Sequence, residues 1–176
     1  MVWLLALSLL AAQDAHAGKA HTHGVAQLKL SVEASQLHLA LELPLDTLVG
    51  FERAPRTPAE TEAARQALAR LREATALVKP DAAAKCRLLG SEVQASVLEG
   101  QAKPAPGRPS ASEHADALVS LTFECEQIAQ LASVELVMFD SFRRLERVQA
   151  EMVTQSGQGK ATVRRSDRTL KLPRQR

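Results

Sequence analysis

The sequence feature that most constrains the fold is an alternation of apolar and polar residues. It runs from Val25 to Val32 and, after residues 33–36, resumes from Leu37 to Leu43. Successive side chains of a β-strand point to opposite faces, so each stretch predicts a strand with one apolar face. The short gap between them predicts a β-hairpin. A third alternating stretch, from Ala117 to Cys125, predicts another strand.

One long helix is predicted beside these strands. Thr57 can cap its first turn, Pro58 suits the first helical position, and Glu60 has capping-box spacing. Apolar residues then recur at helical spacing up to Val78. The predicted class is α+β: antiparallel strands, in hairpins, packed with one long amphipathic helix in a single domain. Further elements are expected as strands at 86–89, 92–98, 134–139, 145–153 and 160–163, and as a helical turn near 128–131.

Three segments differ from the rest in composition. Residues 1–17 have the pattern of a signal peptide, an apolar run followed by small residues that suit cleavage after Ala17. Residues 99–112 are rich in Pro, Gly, Ala and Ser and predict an exposed linker. Residues 164–176 form a basic C-terminal tail, which leaves 18–163 as the domain.

The basic tail suggests partners only weakly. An exported protein is not expected to bind nucleic acid, and an aromatic content of 3% argues against a base-stacking groove. Contact with an anionic membrane surface is the alternative to a plain solvated terminus.

The two cysteines, Cys86 and Cys125, are the only ones in the chain. In an oxidising compartment an even pair favours a disulfide. A thiolate pair on zinc is the alternative, although neither cysteine has a second Cys or a His within a few residues. A disulfide would make the 99–112 linker an insertion within one domain.

The most specific chemical feature is His21-Thr22-His23-Gly24. Imidazoles at i and i+2 of an extended chain lie on one side, so both can reach one metal ion. Two ligands do not complete a zinc site, so His114 and Asp116 are predicted as additional ligands. His38 and Glu113 are secondary candidates. The alternatives to metal binding are a solvent-facing strand position for His38 and a capping or turn role for Asp116.

Signatures of enzymes are missing from the sequence. It contains no nucleophile elbow, phosphate loop, zincin helix or Gly-rich dinucleotide turn. The acids Asp46, Glu52, Asp140 and Glu146 are scattered without a paired arrangement. The chain is therefore predicted not to be an enzyme.

Several short segments occur in an order known from one family. They are His21–Ala26 at the start of a strand, Gly50–Thr57 before the helix, Glu113–Asp116 before the strand that ends in Cys125, and Gly157-Gln158. In this ordered set the chain resembles, over about residues 20–163, the ZrgA-like family of small exported bacterial proteins linked to zinc uptake. The resemblance implies a non-catalytic periplasmic zinc-binding accessory protein that assists a zinc ABC importer or its solute-binding protein.

The resemblance also assigns residues to roles. The family's opening His-x-His corresponds to His21 and His23. Its His-Ala-Asp segment corresponds to Glu113, His114 and Asp116. Its cysteine pair corresponds to Cys86 and Cys125.

This chain departs from the family pattern in two places. Arg53 replaces the histidine of the family's Gly-Phe-Glu-His, and 99–112 contains no His where members with high zinc capacity carry a His-rich stretch. These departures favour an alternative function, a metal-independent envelope protein that docks on a membrane transporter complex. The principal prediction remains one bound metal ion, zinc or another divalent transition metal, with affinity that falls as imidazoles become protonated below about pH 6.5.

Overall fold

The computed structural model describes residues 22–100 and 115–173. The predicted signal peptide with its cleavage position, most of the predicted linker, and His21, Glu113 and His114 lie outside the described residues.

The described chain forms two β-sheets and a few short helices. The strands are β1 (Val25–Glu33), β2 (Gln36–Pro44), β3 (Lys79–Pro80), β4 (Cys86–Gln94), β5 (Asp116–Cys125), β6 (Ser133–Glu135), β7 (Arg147–Thr154), β8 (Gly157–Arg164) and β9 (Thr169–Lys171). The helices are α1 (Leu45–Val49), α2 (Pro58–Arg72) and α3 (Met138–Ser141). One sheet has the order β4-β5-β2-β1-β7-β8 and the other β3-β6-β9.

The alternating pattern produces the centre of the large sheet. In the β1–β2 hairpin Leu28 pairs with Leu41 and Leu30 with Leu39, and each of these side chains is at most 2% exposed. Burying one leucine contributes about 1.5–3 kcal/mol. The intervening polar residues lie on the opposite face of the sheet. The predicted hairpin is confirmed, and one face of the large sheet forms the core.

The core is closed by the helices and the small sheet. Helix α2 buries Leu68 and Leu71, while Phe139 and Phe142 are nearly inaccessible to solvent. Leu170 of β9 belongs to the same cluster of buried residues. The large sheet therefore has one covered face and one open face.

The predicted α+β class, hairpins packed with one long helix, is wrong. Strands hold 45% of the described residues and helices 24%. Helix α2 begins at Pro58 as predicted but ends at Arg72 instead of Val78. Glu73 has extended backbone angles, and a 3-10 turn follows it. Val78 is buried in the core from this irregular segment, so apolar spacing alone overestimated the length of the helix.

Two predicted strand boundaries also change. Residues 86–98 were expected to form two strands, but β4 continues through Gly90 with a register shift between Leu88 and Gly90. Such a bulge accommodates an extra residue without ending a strand. Residues 134–139 divide between β6 and α3, because a short apolar run does not distinguish strand from helix.

One pairing of the large sheet joins distant parts of the chain. The strands predicted at 145–153 and 160–163 are present as β7 and β8, which pair with each other. Strand β7 also pairs with β1 in parallel, with Val25 opposite Arg147. This pairing places the start of the described chain beside residues from its last third.

The predicted Cys86–Cys125 disulfide is present. It joins the first residue of β4 to the last residue of β5, which are direct partners in the sheet. The strands on either side of the segment 99–112 are therefore covalently connected.

Part of the basic segment 164–176 is folded against the domain. Arg165 donates to the carbonyl of Phe139, and also to those of Phe142 at 3.0 Å and Leu145 at 2.8 Å. Arg168 binds Asp140 at 2.6 Å. Within the part of the chain that the structure describes, no helix has the length and apolar character required to cross a membrane.

Candidate metal centre

Three potential metal ligands converge where the described chain begins. The Nδ1 atom of His23 lies 2.6 Å from Oδ2 of Asp46. Glu52 joins them, and one ligand atom from each of the three residues lies within 4.8 Å of the other two. We refer to His23, Asp46 and Glu52 as the His23 triad. Its histidine side chain is 76% exposed and its aspartate 18%, so the triad opens to solvent.

Helix α1 positions the aspartate. Pro44 ends β2, and Asp46 lies in the first turn of this five-residue helix. The neighbouring Thr47 is almost completely buried. Its hydroxyl accepts a hydrogen bond from the Gly24 N–H at 3.1 Å and donates to Oδ1 of Asp46 at 3.2 Å. Thr47 therefore fixes the carboxylate and the residue after His23 at once.

A glycine turn positions the histidine. Gly24 has a positive φ of 74°, and its carbonyl accepts from the backbone N–H groups of Glu146 and Arg147 at 2.8 and 3.1 Å. A Cβ atom here would lie 3.0 Å from Cγ of Glu146 and 3.2 Å from the carbonyl oxygen of Arg144. Only glycine combines this backbone conformation with such close approach.

A second glycine leads the chain to Glu52. Gly50 ends α1 in the left-handed conformation, with φ 89°, and its N–H donates to the Asp46 carbonyl at 2.8 Å. A Cβ atom at Gly50 would lie 2.9 Å from a guanidinium nitrogen of Arg144. The sharp turn returns the chain toward Asp46, which brings Glu52 into the triad.

Arg53, the residue after Glu52, is held by Glu60. The guanidinium makes two hydrogen bonds to that carboxylate, at 2.9 and 2.7 Å, and lies over the ring of Phe51. Arg53, together with the backbone N–H of Arg56, lowers the pKa of Glu60 to about 2. The positive charge beside Glu52 is therefore compensated by a carboxylate that stays ionised down to strongly acidic pH.

The three side chains form a ligand set suited to zinc. Zinc binds imidazole nitrogen and carboxylate oxygen, and sites with three protein ligands keep a fourth position open. The contact of 2.6 Å between Nδ1 of His23 and Oδ2 of Asp46 also orients the His23 ring toward the carboxylate. The arrangement can hold a divalent transition metal ion with one position open to exchange.

The structure separates the predicted ligands. His23 belongs to the triad. Asp116 begins β5, opposite Pro44, and lies outside the triad. His38 lies on the open face of the large sheet, where its Nδ1 is 3.3 Å from the hydroxyl of Thr122. The other three predicted ligands, His21, Glu113 and His114, fall outside the described residues.

Sequence reasoning missed Asp46 and Glu52 as candidate ligands. Along the chain they are two of several scattered acids, and neither lies within a few residues of a histidine. The available signal was the pair Pro44 and Gly50, which can end a strand and a helix respectively. A short helix between them places Asp46 at its start and Glu52 just after its end.

Comparison with known proteins adds the relationship to zinc. A family model described as "ZrgA family zinc uptake protein" matches residues 20–172. The chain belongs to the ZrgA family. No curated protein matches it. The resemblance seen in the sequence is thereby confirmed, and the ZrgA match extends past residue 163 to include β9.

Proposed function

We propose that this ZrgA-family protein is a periplasmic, non-catalytic zinc carrier that binds one Zn²⁺ at the His23 triad. The observation that carries the proposal is the convergence of three ligand atoms to within 4.8 Å of one another. Membership in a zinc uptake family makes zinc the metal of choice. Location in the periplasm is supported by the disulfide, which persists in oxidising compartments.

The remaining zinc ligand is proposed to come from the predicted set outside the triad. His21 precedes His23 by two residues. His114 directly precedes Ala115, whose carbonyl accepts a hydrogen bond from the Leu45 N–H at 2.9 Å. In the sequence, His21 is thus two residues from His23, and His114 is next to a residue that is hydrogen-bonded to the neighbour of Asp46. Either one would occupy the fourth position, where an incoming ligand could replace it.

An exchangeable site suits a protein that passes metal on. We propose a zinc ABC importer, or its solute-binding protein, as the recipient. A centre at the surface with an exposed imidazole allows an incoming ligand to replace a bound one stepwise. A buried four-cysteine site would release its metal far more slowly.

A zinc titration against a competing chelator tests the metal site. The variant His23→Ala should lose more than about tenfold in zinc affinity, as should Asp46→Asn. The matched control is His38→Ala, which removes the same chemical group from the open face of the sheet and should leave the affinity unchanged. Circular dichroism of each variant verifies the fold.

Two results would contradict the site. Equal zinc affinity of the wild type and His23→Ala would show that zinc does not bind at the His23 triad. A wild type that binds zinc only in the millimolar range would favour the alternative, a metal-independent envelope protein that docks on a transporter.

A further inference from the structure

A cleft of about 370 Å³ lies beside the His23 triad. Helices α1 and α2 and the turn after α3 form its walls. Three arginines, Arg70, Arg143 and Arg144, line it. We call this feature the arginine cleft.

The arginine cleft carries a net positive charge. The acid among its lining residues, Asp140, is bound at 2.6 Å by Arg168. Arg70 donates one hydrogen bond at 3.0 Å to a neutral group, the carbonyl of Ser141. Charged groups in a concave surface concentrate the local electrostatic field. The cleft therefore attracts anions.

The cleft also has apolar walls. Leu48 and Val49 of α1 and Ala63 and Ala67 of α2 line it beside the arginines. A site for a small inorganic anion has no need of such walls. A peptide that alternates carboxylates with apolar side chains matches both properties, whereas a flat lipid surface does not fit a concave cleft.

Arg144 connects the cleft with the triad. Its guanidinium lies against Gly50, two residues before Glu52, and its carbonyl oxygen lies against Gly24, next to His23. Val49, which lines the cleft, directly precedes Gly50. A segment held in the cleft would therefore lie close to the metal centre.

We propose that the arginine cleft docks an acidic peptide segment of a protein partner beside the metal centre. The inference rests on the proposed function and specifies the chemistry of the recipient. A Zn²⁺ ion neutralises the two carboxylates of the triad, so the region becomes more positive when it is loaded. Docking is then stronger for the zinc-loaded protein, and the acidic segment supplies the incoming ligand that replaces the carrier's own.

Binding of a fluorescein-labelled decapeptide that alternates glutamate with alanine, measured by fluorescence anisotropy at low salt, tests the cleft. The variant R70E/R143E reverses two cleft charges without changing the triad. Its control, K160E/K171E, makes the same change of charge on β8 and β9. We expect R70E/R143E to bind the peptide at least about tenfold more weakly and the control to bind within about twofold of wild type. Zinc should strengthen binding of the peptide by the wild-type protein. A mixture of peptide and zinc without protein is the blank.

The outcomes are distinct. Equal peptide binding by R70E/R143E and the control would contradict the proposal that the cleft docks an acidic peptide. An absence of peptide binding by the wild type would contradict it as well. Binding of phosphatidylglycerol vesicles that depends on Arg70 and Arg143, without peptide binding, would overturn it in favour of a membrane contact. A protein that fails the zinc titration but still needs these arginines for the peptide would disprove zinc carriage and retain the docking site.

Discussion

Gly24 and Thr47 are joined by a buried hydrogen bond of 3.1 Å although 23 positions separate them in the chain. The bond fixes the start of β1 against α1, and the same hydroxyl reaches the carboxylate of Asp46. One side chain that is not itself a candidate ligand thus holds Asp46 and the residue that follows His23.

Replacing Thr47 by valine should therefore weaken both the fold and the metal site. Thr47→Val keeps the shape but leaves the Gly24 N–H without its acceptor, at a cost of about 1–3 kcal/mol. Urea unfolding measures this cost, and the chelator competition should show lower zinc affinity. Thr47→Ser, which retains the hydroxyl, should preserve most of that affinity. A Thr47→Val variant with wild-type zinc affinity would show that Thr47 does not support the metal site.

The glycine turn before β1 gives a second prediction. Gly24→Ala forces a Cβ into contact with Glu146 at a positive φ, which should cost about 1–3 kcal/mol of stability. The matched control is Gly90→Ala, because nothing lies within 4 Å of a Cβ at Gly90 and its φ is not in the left-handed region. Comparable losses of stability in the two variants would show that the Gly24 turn is not constrained.

The Arg53–Glu60 pair gives a dependence on pH. The folded-state pKa of Glu60, about 2, lies below that of an unfolded glutamate. Its contribution to stability is therefore full above about pH 4.5 and is lost as the pH falls toward 2. In Glu60→Gln the free energy of unfolding should change less between these pH values. Denaturant unfolding curves measured across this pH range give the free energy of unfolding of both proteins. Equal decreases in the wild type and Glu60→Gln would contradict the prediction.

Removal of the disulfide should lower stability substantially. The cysteines are 39 residues apart, and closing a loop of that size contributes on the order of 4 kcal/mol in the chain-entropy model. Cys86→Ala/Cys125→Ala should unfold at lower denaturant concentration than the oxidised wild type. Reduced wild type provides the control, since it should resemble the double variant. Coincident denaturant unfolding curves for the oxidised and the reduced wild type would show that the disulfide does not stabilise the fold.

The parts of the fold that sequence predicted are local. Alternation identified the β1–β2 hairpin, and the Thr57-Pro58 cap identified where α2 begins. The β1–β7 pairing escaped prediction because a parallel contact across more than a hundred residues leaves no periodic signal. Likewise, His23 was recognisable from its neighbour His21, whereas Asp46 and Glu52 come close to it only through the Gly24 and Gly50 turns.

The parallel pairing of β1 with β7 has a consequence for when the site can exist. The Gly24 carbonyl is anchored by the N–H groups of Glu146 and Arg147, so the position of His23 depends on residues more than 120 positions later in the chain. A nascent chain that ends before residue 146 already contains all three triad residues but lacks these partners. If the triad binds metal as proposed, the site is assembled only after most of the domain has been synthesised.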